Sequence, residues 1–158
     1  MAQFDPSAPL VDGRQSETAV MIARGVRRML RAHGFSSVTE LPLLDGRRAD
    51  IVALGADGSL LIIEIKSSVA DFRADHKWRD YAAPCDRLYF AIHPDLPAGI
   101  MPPDAGLIVA DPYGAEIVRE PEAQRLAPAT RRAVMLRFAQ AAADRLHRLA
   151  DPTGVAAP

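Results

Sequence analysis

At 158 residues, with 49% hydrophobic and 25% charged side chains, the chain has the makings of one folded domain that hides about two thirds of its unfolded surface, and its composition excludes a disordered polymer. A net charge of −1 gives no bulk positive field to draw in nucleic acid, so any such contact must come from local clusters. The single Cys85 excludes an internal disulfide, and no apolar run is long enough to span a membrane.

Residues 1–14 carry Pro and Gly without periodicity and are expected to form a flexible arm. The opening Met-Ala-Gln-Phe-Asp-Pro has no basic or apolar leader pattern, which sets the expectation of a cytoplasmic protein. Ser16 is an N-cap for a predicted helix running to about His33 and stopped by Gly34. Its apolar face is Ala19, Ile22, Ala23, Val26, Met29 and Leu30, with Glu17, Met21, Arg24, Arg28 and Arg31 opposite. Ser37 to Leu43 reads as a strand ended by Pro42 and the Asp45-Gly46 turn. Two apolar runs, Arg48–Leu54 and Leu60–Lys66, then flank Ala56-Asp57-Gly58 and predict a hairpin. The second run is apolar on both faces, as a central strand covered on both sides would be.

Ser67 or Ser68 can cap a short helix, and helix is predicted again over 75–81. Arg87 to Ile92 is a strand, and the proline-rich stretch from His93 to Asp104 is an irregular loop. Gly106–Ala110 and Ala115–Val118 are two further strands. A long helix follows from about Thr130 to Leu149, with Met135, Phe138, Ala142, Leu146 and Leu149 as its expected buried face. Residues 151–158 read as a flexible tail, leaving 15–150 as a single domain. The order of elements predicts an α/β fold with one mixed central sheet flanked by helices.

The hairpin carries the chemistry. With Gly58 left-handed and Gly55 facing Ser59, the register puts Asp50 directly opposite Glu64, and Lys66 shares the face of Glu64. Directly opposed like charges destabilise a sheet. A divalent cation held by both carboxylates, with Lys66 beside it, would offset that cost. The blander alternative is an exposed Glu64–Lys66 ion pair of little energetic weight. Against it stands the basic composition: 17 Arg but only two Lys, Lys66 and Lys77, both in or just after this segment. Lysine differs from arginine in that its surroundings can move its pKa, which matters for a group that manages a water or a developing charge. The sequence holds no phosphate-cradling Gly loop, paired-Cys motif or His-Glu-x-x-His, which argues against a nucleotide-hydrolysing motor, a zinc module and a zinc protease.

Asp50, Glu64 and Lys66 stand at the three signature positions of the PD-(D/E)XK nuclease superfamily, which this arrangement resembles, with Ala49 where that pattern often has Pro. The stretch 67–81, with its Asp71-Phe72, Asp75-x-Lys77-Trp78 and Tyr81, followed by Cys85-Asp86-Arg87-Leu88-Tyr89-Phe90, resembles the MmcB family of bacterial DNA repair proteins. The resemblance spans roughly residues 14 to 150 and implies a restriction-endonuclease-like core and a DNA-linked role.

The likeness of Asp50, Glu64 and Lys66 to the nuclease signature sets the expectation of a metal-dependent hydrolysis of DNA phosphodiester bonds. Asp50 and Glu64 would be metal ligands, the backbone carbonyl of Ile65 a third, and Lys66 the catalytic cation. Mg²⁺ is the expected cofactor, with Mn²⁺ able to substitute. Glu17 is an accessory carboxylate candidate from the first helix, and Glu40 a weaker one. Lys77 and the stripe of Arg24, Arg28 and Arg31 are candidate phosphate contacts, with Arg131 and Arg132 a second small cluster. Expected partners are structured or damaged DNA, other repair proteins and a second copy of the chain. The alternative is a non-catalytic DNA-binding or adaptor protein of the same fold.

Overall fold

The computed structural model describes residues 16–74 and 84–153. Six strands follow one another across a single sheet: β1 (Ser36–Pro42), β2 (Arg48–Leu54), β3 (Leu60–Lys66), β4 (Arg87–Ile92), β5 (Gly106–Ala110) and β6 (Ala115–Arg119). The pairs β1–β2, β2–β3 and β5–β6 are antiparallel, whereas β3–β4 and β4–β5 are parallel. Helix α1 (Glu17–Ala32) covers one face, and α3 (Pro128–Ala150) covers the other. The short α2 (Val69–Ala74) leaves the end of β3. This α/β/α layering around a mixed sheet is compatible with a restriction-endonuclease-like core.

Helix α1 starts where the sequence places it, with the Ser16 hydroxyl accepting the Ala19 N–H at 3.2 Å. It stops at Gly34, whose φ of +82° is the left-handed conformation that glycine tolerates best. Its buried stripe is Ile22, Gly25, Val26, Met29 and Leu30. Gly25 belongs there for a reason the apolar pattern does not reveal. A Cβ at this position would lie 1.9 Å from the Asp111 carbonyl oxygen, so α1 presses directly on the β5–β6 turn.

The hairpin has the expected register, Ile51↔Ile63 through Leu54↔Leu60. Its turn is closed by the Gly55 N–H donating to the Ser59 carbonyl at 2.9 Å, with Gly58 at φ +83°. Every residue of β3 is buried. Leu61, Ile63 and Ile65 pack toward α1, and Leu60 and Ile62 toward α3, so this strand is the spine of both cores. Each fully buried aliphatic side chain contributes about 1.5–3 kcal/mol.

One clamp ties the hairpin to α3. The Arg131 guanidinium donates from both terminal nitrogens to Asp86, each at 2.7 Å, and also to the Gly58 carbonyl at 2.8 Å. Asp86 in turn accepts the Leu60 N–H at 2.7 Å. Arg131 is therefore engaged in holding the fold, which corrects its place in a phosphate-binding cluster with Arg132.

The long helix is present, with Phe138 buried and Met135 and Ala142 packed against the same core as expected, but its C-terminal part departs from the expected face. Val134, Phe138, Ala141 and Arg145 face inward, while Leu146 and Leu149 are 67% and 73% exposed. In this last part the buried side chain is Arg145, which donates to the backbone carbonyls of Thr39 and Glu40 on β1. The helix expected over 75–81, with Lys77, Trp78 and Tyr81, lies outside the described residues. Among the described residues, no helix is long and apolar enough to cross a membrane.

Candidate active site at the end of the central hairpin

The site grows out of a defect shared by β1 and β2. Thr39 pairs with Ile51 and Leu41 pairs with Ala49, so Glu40 and Asp50 stand at the same level between these pairs. Ile51 packs in the α1-side core, yet Leu41 and Ala49 pack in the α3-side core. Both strands therefore reverse their facing at this level, which regular alternation forbids. Glu40 accommodates the reversal with a φ of +52°. It is buried, pairs with the guanidinium of Arg48, and has its backbone held by Arg145.

The reversal frees Asp50 from the β2–β3 ladder, which stops at Ile51↔Ile63. Instead its side chain reaches across the strand gap, and Oδ2 accepts the Ile65 N–H at 2.7 Å. Glu64 is 4% exposed, and its side chain meets that of Asp50 through a hydrogen bond. Burial first, then the Asp50 charge and the hydrogen bond to it, holds the Glu64 carboxyl well above the ordinary range. Lys66 pulls the other way without prevailing. The Oε1 atom of Glu64 is buried with no hydrogen-bond partner. A buried acceptor left unmatched costs free energy.

Lys66 is 6% exposed, with its Nζ 6.0 Å from the centroid of the Phe90 ring. Phe90 is the β4 partner of Glu64, and Phe72 from α2 stands edge-on to it at 5.9 Å. This apolar backing rules out the alternative of a solvent-exposed Glu64–Lys66 pair. Lys66 shares the Glu64 side of β3 by strand alternation, as expected.

Asp50 is the half-exposed end of this group, and it lines a groove of about 610 Å³ between α1 and β1. Arg24, Arg28 and Arg31 line the same groove, so the sheet reversal brings the expected arginine stripe to the expected carboxylate. Arg27 completes the stripe and was not expected; its spacing of three and four from Arg24 and Arg31 is the signal that could have found it. Glu17 is exposed in the first turn of α1 and makes no hydrogen bond or ion pair to another described residue. Lys77 lies outside the described residues. Burial pushes the Cys85 thiol up to about 12, so this lone cysteine stays protonated and offers no nucleophile.

A family model described as DNA repair protein MmcB-like matches residues 6–153. The chain belongs to the MmcB-like family. A solved structure of a protein of unknown function from Silicibacter pomeroyi, SPO1766, is 47% identical and superposes with a TM-score of 0.87, covering 89% of this chain and 97% of that one. No curated protein matches. Membership of the MmcB-like family suggests a DNA repair role for the chain.

Proposed function

We propose that this chain is a metal-dependent, nuclease-like DNA repair protein of the PD-(D/E)XK type that hydrolyses DNA phosphodiester bonds. One observation carries the reading: the Asp50 and Glu64 carboxyls meet across the end of the hairpin, with a buried Glu64 oxygen unmatched and Lys66 two residues further along.

The donors present fit a hard divalent ion. Mg²⁺ takes oxygen ligands, keeps several waters and needs only one or two carboxylates. Asp50 and Glu64 supply these, and the backbone carbonyl of Ile65 is the proposed third donor. Among the described residues no group of three or more His, Cys, Asp or Glu side chains is arranged to hold a metal, so the proposed site rests on two carboxylates. When bound, the ion would supply positive charge to ionise Glu64, acidify water and polarise a phosphoryl oxygen.

The chain's own residues do the rest. Asp50 is fixed by the Ile65 N–H, so its carboxylate is held in place before any substrate arrives. Lys66, backed by Phe90, sits where bulk water screens its charge little, and there it would orient an attacking water or stabilise charge developing on the phosphate. Arg24, Arg28 and Arg31, with Lys77, would hold neighbouring phosphates.

The test is incubation with labelled single-stranded, duplex, flap and four-way DNA in Mg²⁺, Mn²⁺ or chelator. Metal-dependent cleavage is expected, abolished in Asp50→Asn, Glu64→Gln and Lys66→Ala. Cleavage that survives Lys66→Ala points to another site. A second reading is favoured by the arginine groove alone: a non-catalytic DNA-binding adaptor that recruits other repair proteins. Metal-independent DNA binding with no cleavage in any ion would select it.

A further inference from the structure

The four arginines of the α1–β1 groove hold an unusual position in a chain whose net charge is −1. None of them pairs with a carboxylate among the described residues. Arg27 donates from Nε to the Ser37 hydroxyl at 3.1 Å, and Arg28 donates to the Tyr113 carbonyl at 3.4 Å. Both partners are neutral, so these two guanidinium groups are steered without an ion pair among the described residues. Each guanidinium has five N–H donors, which leaves most of them for a ligand.

The groove is not merely basic. Phe35, Val20 and Ala23 line it together with the arginines, and Asp50 lies in its wall. Its volume of about 610 Å³ falls in the range of roughly 300–1,000 Å³ that enclosed small ligands fill. A duplex keeps its bases stacked inside and offers a protein its phosphates and groove edges, so a concave pocket with an aromatic wall gains nothing from it. An unpaired strand offers both phosphates and bare base faces, the combination met by a groove lined with arginines and an aromatic ring.

Resting on the DNA-directed part of the proposed function, we infer that this groove is the track for a single-stranded DNA segment. Its phosphates lie along Arg24, Arg27, Arg28 and Arg31, a base lies against Phe35, and the strand leads to Asp50. The substrate class is thereby narrowed to DNA with an unpaired stretch.

The experiment uses the full chain in chelator, so that no cleavage chemistry contributes. Fluorescence anisotropy follows a labelled short thymidine oligomer and, separately, a duplex of the same length. The single strand should bind at least about tenfold more tightly. Arg24→Ala with Arg31→Ala should weaken that binding at least tenfold and lower the salt slope by roughly 0.7 for each phosphate no longer neutralised. Phe35→Leu should weaken single-strand binding by about fivefold or more, while leaving duplex binding unchanged. The arginine variants alter exposed side chains and serve even where the Phe35 variant fails to fold. Duplex binding as tight as single-strand binding overturns the inference, as do arginine variants that bind like the parent. Displacement of the oligomer by polyglutamate at equal charge overturns it too, because the groove would then accept any polyanion. Single-strand binding without metal-dependent cleavage would remove the hydrolytic reading and leave this inference standing; cleavage of fully paired duplex alone would do the reverse.

Discussion

The carboxylate of Asp50 accepts the backbone N–H of Ile65 at 2.7 Å, taking over a strand hydrogen bond where the β2–β3 ladder has ended. One side chain thus closes the sheet and faces the place of the cation in the proposed site. The two roles separate by substitution. Asp50→Asn keeps an oxygen for the Ile65 N–H and should unfold within about 1 kcal/mol of the parent, whereas Asp50→Ala strands a buried donor and should cost about 1–3 kcal/mol. Urea unfolding of the two variants measures the difference.

Glu64 makes the fold sensitive to pH in a direction opposite to most carboxylates. Its pKa is raised on folding, chiefly by burial and then by Asp50, so the native state keeps a proton that the unfolded chain gives up. Stability on this account is greatest below the ordinary glutamate value of about 4.3 and falls as pH rises from there through the folded value. Glu64→Gln removes the titrating group. In metal-free buffer, thermal melting should find the variant gaining on the parent as pH climbs through that window. A constant difference between the two would count against the buried, protonated carboxyl.

Asp86 behaves in the conventional way. The hydrogen bonds from Arg131 hold its carboxyl below the usual range, with help from the Leu60 N–H. Its contribution is therefore present above the unfolded aspartate value of about 3.9 and disappears as pH falls through the lower folded value. Asp86→Asn should destabilise the protein by about 2 kcal/mol near neutrality, in the range of hydrogen bonds to charged groups, and by less in acid. Denaturant midpoints at neutral and acid pH provide the check.

The strands and their register were readable because β-branched runs, a Gly58 turn and alternation all agree; β2, β3, β4 and β5 have the bounds the pattern predicts. Alternation also put Lys66 on the side of Glu64. What the pattern could not supply was the way Asp50 reaches its partner. Strict alternation has Asp50 facing Glu64 as an ordinary cross-strand pair, but a paired reversal at Glu40 and Asp50 is what releases the side chain into the strand gap. At that reversal the Thr39 and Glu40 carbonyls are satisfied by Arg145, more than a hundred residues away. No local signal encodes such a contact, which buries Arg145 while Leu146 and Leu149 stay exposed. Gly25 was likewise opaque, since its need for no side chain arises from the distant Asp111 carbonyl.

The central claim is that Asp50 and Glu64 together hold a divalent ion. Titration with Mn²⁺, followed by the fall of the free-ion signal in electron paramagnetic resonance, reads this without depending on turnover. One bound Mn²⁺ per chain is predicted, tighter at higher pH because Glu64 must release its proton, and weakened at least tenfold in Asp50→Asn and in Glu64→Gln. Full retention of Mn²⁺ binding in both variants, or no binding by the parent at millimolar ion, would contradict it.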